Sequence, residues 1–194
     1  MTEIRPLLPV IALLVALLQG CAAAVVGGAA TGTSVAHDRR SAGTMMDDEV
    51  IEMKILSNSF QDDPLRSHTD ISATSYNYVV LLTGQAETAE YRNQFVELAR
   101  RTPMVKQVIS EVEIEPAAGW TETSKDAYIT SKVKLALFEI KLDGFDPSRV
   151  KVVTEKKVVY LMGMVTPTEA NEVVEKVRHV RDVKQVVKAF EYLR

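Results

Sequence analysis

The chain repeats itself, and that repeat limits its folds more than any other feature. Asp48-Glu49-Val50-Ile51-Glu52-Met53-Lys54-Ile55 aligns with Asp126-Ala127-Tyr128-Ile129-Thr130-Ser131-Lys132-Val133 at an offset of 78 residues. Tyr78 to Gly84 aligns with Lys157 to Gly163 at 79, and Val105-Lys106-Gln107-Val108 recurs unchanged as Val183-Lys184-Gln185-Val186 at 78. Three blocks in one order at one spacing mean two copies of a unit of roughly 70 residues.

Each copy reads helix, strand, strand, helix, strand. In the second, Ile129, Val133, Ala136, Leu137 and Ile140 form the stripe of an amphipathic helix that Gly144 and Pro147 end. Val150 to Val153 and Val158 to Leu161 are β-branched runs around the polar turn Glu155-Lys156-Lys157, the pattern of a hairpin. Thr166-Pro167-Thr168-Glu169 carries the hydroxyl cap, the proline and the glutamate of a capped helix start. Val183 to Tyr192 closes the unit as a strand. In the first copy, Glu52 to Phe60, Asp70 to Thr74, Tyr78 to Leu82, Thr88 to Arg101 and Val108 to Ile114 keep the same order. A strand that returns by way of a helix pairs parallel to its neighbour. The expectation is an α+β fold, two tandem αββαβ units with two helices on one face of a three-stranded mixed sheet.

Upstream lies an uncharged run from Pro6 to Leu18, then Leu18-Gln19-Gly20-Cys21 with the only cysteine in the chain. Arg5, an apolar core and small residues at the cut fit a secretory leader, and the cysteine fits a lipobox, where cleavage leaves an N-terminal cysteine to be acylated. An uncleaved spanning helix and plain secretion are the alternatives; against the first, Gly20, Gly27, Gly28 and Gly32 each cost about 1 kcal/mol relative to Ala in a helix. Ala, Gly, Thr and Ser then dominate to about Asp47, too little apolar surface to offset backbone entropy. Such a tether spans roughly 25–30 Å. The chain thus divides into a leader at 1–20, an acylated N-terminus and tether at 21–46, units at 47–115 and 124–194, and a linker at 116–123.

Two such units, each with a strand running into a single glycine (Gly84, Gly163) and a Val-x-x-Val block, behind Leu-Gln-Gly-Cys, resemble the dual BON-domain outer-membrane lipoproteins. The resemblance spans essentially the whole chain and is closest in Ser124 to Val133 and Val158 to Thr166. It implies two BON domains, lipidation at Cys21, and the periplasmic face of the outer membrane, since Ala22 and not Asp follows the cysteine. It also implies anionic-phospholipid contact through the first helix of the second unit, where Tyr128 stands in place of a family tryptophan, and roles in envelope integrity, division sites and outer-membrane protein assembly.

The residues themselves favour a surface over a reaction. With Ile129, Val133, Leu137 and Ile140 directed inward, Tyr128, Leu135 and Phe138 fall outside that face, and Lys125, Lys132, Lys134 and Lys141 lie nearby. Apolar tips mixed with lysines suit an interfacial helix on anionic lipid. The alternative is that Tyr128 and Phe138 pack against the other unit. Glu49 and Glu52 make the first unit's helix the poorer lipid binder. His37, His68 and His179 share no motif, and with Cys21 committed to the anchor no nucleophile–base set is defensible, so no enzyme, cofactor or metal is expected. Asp47-Asp48 and Asp62-Asp63 lack calcium-loop spacing and read as solvated turns. A net charge of −3 argues against nucleic acid. Gly84 and Gly163, each ending a strand, supply either positive φ or a close backbone approach, and read first as turn devices. The rival functions are an adaptor for envelope proteins with incidental lipid contact, and a hydrolase whose site assembles only in space.

Overall fold

The computed structural model describes residues 38–115 and 121–193, and Asp38–Arg194 forms one compact unit. The leader, Cys21 and the run to His37 lie outside the described residues. The first domain comprises α1 (Ala42–Gln61), α2 (Asp63–His68), β1 (Thr69–Tyr76), β2 (Val79–Ala86), α3 (Ala89–Arg101) and β3 (Gln107–Ile114). The second comprises α4 (Thr121–Leu137), a 3-10 turn (Pro147–Arg149), β4 (Lys151–Glu155), β5 (Val158–Val165), α5 (Pro167–Arg178) and β6 (Gln185–Tyr192). In each sheet the central strand, β2 or β5, pairs antiparallel with its predecessor and parallel with its successor. This is the α+β arrangement the repeat implied, with α2, capped by the Asp62 carboxylate, added to the first domain.

Two elements start earlier than the periodicity indicates. α1 begins at Ala42, inside the segment read as tether, because the Ser41 hydroxyl accepts from Thr44 N–H at 3.0 Å and caps a start that Gly43 would otherwise weaken. α4 begins at Thr121, inside the segment read as linker.

The central strands are buried on both faces, which is why they read as continuous apolar runs with no alternation. Val80 and Leu82, like Val159 and Leu161, meet their own domain's helices. Leu81, Tyr160 and Met162 point the other way and form, with Tyr76, a third core between the two sheets. The domains therefore pack sheet to sheet and carry their helices outward. Burial between the sheets, with Glu111, Glu113 and Glu155 nearby, pushes the Tyr160 hydroxyl up to about 12.

One aspartate per repeat ties the first helix to the hairpin. The Asp126 carboxylate accepts the backbone N–H groups of Lys156 (2.7 Å) and Lys157 (2.9 Å). Asp48 accepts those of Asn77 (2.8 Å) and Tyr78 (2.9 Å), and the Ser75 hydroxyl at 2.7 Å. All four turn residues have positive φ, from 47° to 68°, the two-residue hairpin geometry that matches strand twist. Non-glycine residues in that region cost about 1–2 kcal/mol each, and the aspartate bonds offset this. Asp48 is thus buried and structural, not a solvated turn, because the helix starting at Ala42 carries it over the hairpin.

Gly84 and Gly163 also differ from expectation. Both lie inside strands, not at turns. A Cβ at Gly84, where φ is +112°, would stand 2.0 Å from the Asp70 carbonyl oxygen; one at Gly163 would stand 2.5 Å from that of Arg149. Close approach of the neighbouring backbone is what demands glycine there.

Residues read as tether also clasp the domains together. Arg39 donates to the Met164 carbonyl (2.7 Å) and to both oxygens of Glu169 (2.7 and 2.9 Å) in the second domain. Arg40 donates to Asp48 (2.8 Å) in the first and stacks 3.8 Å above the Tyr76 ring. Burial alone would raise the Glu169 carboxyl, but Arg39 and the Thr166 N–H hold it down at about 2.

Candidate functional site

The α4 surface follows from its core contacts. Ile129, Val133 and Leu137 are buried against the second sheet, and Asp126 locks the helix's rotation through the hairpin. That fixes Tyr128 and Leu135, and Phe138 just past the helix end, on the solvent side, 59%, 68% and 74% exposed. The competing expectation, that Tyr128 and Phe138 are covered by the other domain, does not hold: the domains meet through their sheets.

The lysines divide into two groups. The Lys132 ammonium sits 4.3 Å above the Tyr128 ring and 3.7 Å from the Asp182 carboxylate, so it braces the aromatic. Lys125, Lys134 and Lys141 are exposed, and among the described residues none has a carboxylate within ion-pair distance. Glu139, between Lys134 and Lys141, is taken by Lys176 at 2.6 Å, a bond that holds its carboxyl below the usual range. The structure thus groups Tyr128, Leu135 and Phe138 with Lys134 on one outward surface, and turns Lys132 partly toward its own domain. Gly84 and Gly163 belong to the sheets and take no part. Cys21 is not among the described residues.

Sequence reasoning missed a second apolar surface. On α1, Met46 (70% exposed), Met53 (65%) and Phe60 (69%) recur every seven residues, and Leu56 lies beside them. The signal was in the sequence but hidden, because a helix started at Glu52 leaves out Met46. The N-terminal half of α1 and the C-terminal half of α4 approach each other across a groove of about 580 Å³, lined by Met45, Met46 and Glu49 on one wall and by Lys134 and Phe138 on the other. Among the described residues no helix is long and apolar enough to cross a membrane, and no cluster of His, Cys, Asp and Glu could hold a metal.

Two αββαβ repeats joined back to back, with helical faces turned outward, form a tandem α+β scaffold. BON-domain matches cover residues 47–116 and 125–194, so the chain belongs to the BON-domain family, in its two-domain lipoprotein type. It is 36% identical to the outer membrane lipoprotein DolP of Haemophilus influenzae over 177 residues, 91% of this chain and 90% of that protein. It is 35% identical over 159 residues to the 21 kDa hemolysin of Actinobacillus pleuropneumoniae, 80% of this chain and 79% of that protein. Identity to the Osmotically-inducible protein Y of Escherichia coli is 29% over 160 residues, 81% of this chain and 78% of that protein.

Proposed function

We propose that the chain is a non-enzymatic lipoprotein of the outer membrane, held there through acylated Cys21 and facing the periplasm, and that α4 binds anionic phospholipid. The observation that carries this reading is the outward group Tyr128, Leu135 and Phe138 beside lysines that have no carboxylate partner among the described residues. The similarity to a named outer membrane lipoprotein supports the anchor. Each lysine near an anionic surface contributes about 1 kcal/mol, so Lys125, Lys134 and Lys141 suffice for weak adhesion that fades as salt rises. The acyl anchor then needs only modest help to keep the domains on the bilayer. Envelope support at division sites is the cellular role this suits. Residues 22–194 should sediment with phosphatidylglycerol vesicles and not with phosphatidylcholine vesicles, and Lys134→Glu should weaken the binding. Equal binding to both vesicle types would discard the reading.

A second reading, an adaptor for envelope proteins such as those of outer-membrane protein assembly, is favoured by the Met46, Met53 and Phe60 row. Methionine-rich faces adapt to protein partners, and this row has only Lys54 to attract an anionic surface. Crosslinking from Met53 to protein, and not to lipid, in intact cells would support it.

A further inference from the structure

The groove between α1 and α4 is a different feature from the convex face of α4. The exposed Met46 and Phe138 and the buried Val150 and Val152 line it, with Glu49 contributed by α1 and Lys134 by α4. Its volume of about 580 Å³ lies within the range of small-ligand sites, about 300–1,000 Å³. We propose that it holds one acyl chain of a single anionic phospholipid, with the lipid phosphate on Lys134. This rests on the phospholipid reading above and deepens it from adhesion to capture of a molecule.

The argument is one of complementarity. The other two cations lining the groove are already engaged, Arg40 with Asp48 and Lys151 with Glu52 at 2.7 Å. Lys134 is left to meet an anion, on the α4 side. Glu49 opposite repels a second negative charge, which turns the headgroup toward Lys134 and leaves the apolar lining to the tail. A flat membrane surface cannot fill a concave groove, whereas a flexible hydrocarbon chain can, and burying it removes apolar surface on both partners from water. The larger groove of the first domain, about 1,020 Å³ between α2 and α3, sets three carboxylates, Asp62, Glu90 and Glu97, against the single cation Arg101, a balance that disfavours an anionic lipid.

The test uses residues 22–194, which retain the compact unit, titrated with dihexanoyl phosphatidylglycerol below its micelle concentration. Dihexanoyl phosphatidylcholine and glycerol phosphate run in parallel. The expected result is saturable one-to-one binding of the anionic lipid, at least fivefold tighter than the zwitterionic one, with shifts at the Met46 methyl and the Phe138 ring. Ser148→Trp, which fills the groove from an exposed lining position, and Met46→Ser, which lowers one wall, should each weaken it at least fivefold while changing vesicle sedimentation less than twofold. Lys134→Glu should weaken both. Vesicle binding without monomer binding, monomer binding indifferent to Ser148→Trp and Met46→Ser, or glycerol phosphate binding equal to that of the lipid would overturn the groove and spare the α4 face. Loss of binding to monomer and vesicle alike in the unaltered chain would overturn both.

Discussion

α1 and α4 occupy equivalent places in the two repeats, yet what they share lies mainly on their inward faces. Ile51 and Ile55 match Ile129 and Val133 in the cores, and Asp48 matches Asp126 over the hairpin. Outward, Val50 faces Tyr128 in the alignment, Met53 faces Ser131, and Leu56 faces Lys134; Lys54 agrees with Lys132 and Phe60 with Phe138. Core packing tolerates few alternatives, so the duplicated scaffold holds its inner code while each outer face is free to take its own ligand. One helix displays aromatics among lysines, the other methionines on a helix richer in carboxylates than in cations.

If the inner code is shared, damage to it should be large in both domains and scale with local geometry. Gly84→Ala should cost about 3 kcal/mol or more, through backbone strain and a forced clash, and Gly163→Ala less, since its carbonyl neighbour is farther off. Thermal denaturation reads this as a fall of about 2–4 °C per kcal/mol for a unit of this size. Asp48→Ala should cost about 3 kcal/mol and Asp126→Ala about 2, because Asp48 also serves Ser75 and Arg40. Equal losses would break the ranking.

The clasp distinguishes the domains by pH. The Glu169 carboxyl is held at about 2 in the folded chain against 4.5 as a free group. Its contribution, on the order of 3 kcal/mol by linkage, is present above about pH 4.5 and lost as pH falls toward 2. Arg39→Ala should flatten that acid limb of the denaturation curve and lower stability at neutral pH. An unchanged acid limb would remove Glu169 from the account.

The outer faces should respond in binding and not in stability. Lys134→Glu reverses one charge near an anionic surface and should weaken vesicle binding by about 2 kcal/mol, roughly 30-fold. Leu56→Lys gives α1 the residue α4 has at that place and should strengthen vesicle binding by about 1 kcal/mol, roughly fivefold. If it does nothing, α1 faces away from the bilayer.

Most of the fold was legible because it was written twice: periodicity, the Thr166 capping box and the helix return of the third strand each recur or obey local rules. What stayed hidden depends on distant contacts. Arg39 and Arg40 sit in a polar stretch and look like solvated charge until Glu169 and Asp48 are brought to them. Gly84 looks like a turn residue because sequence does not reveal how near the Asp70 carbonyl comes. Of the surface features, Tyr128, Leu135 and Phe138 could be set opposite a known core stripe, but the groove needed both helices, and only folding places residues 46 and 138 on facing walls.

The clasp also decides how the molecule carries load. One and two residues after Asp38, the guanidinium groups of Arg39 and Arg40 grip one domain each. A pull applied at Asp38 is split between both domains before it reaches any strand edge, so the force works against ion pairs in parallel and does not peel a sheet from one end. The grip is a strain relief at the point where the cord enters the plug.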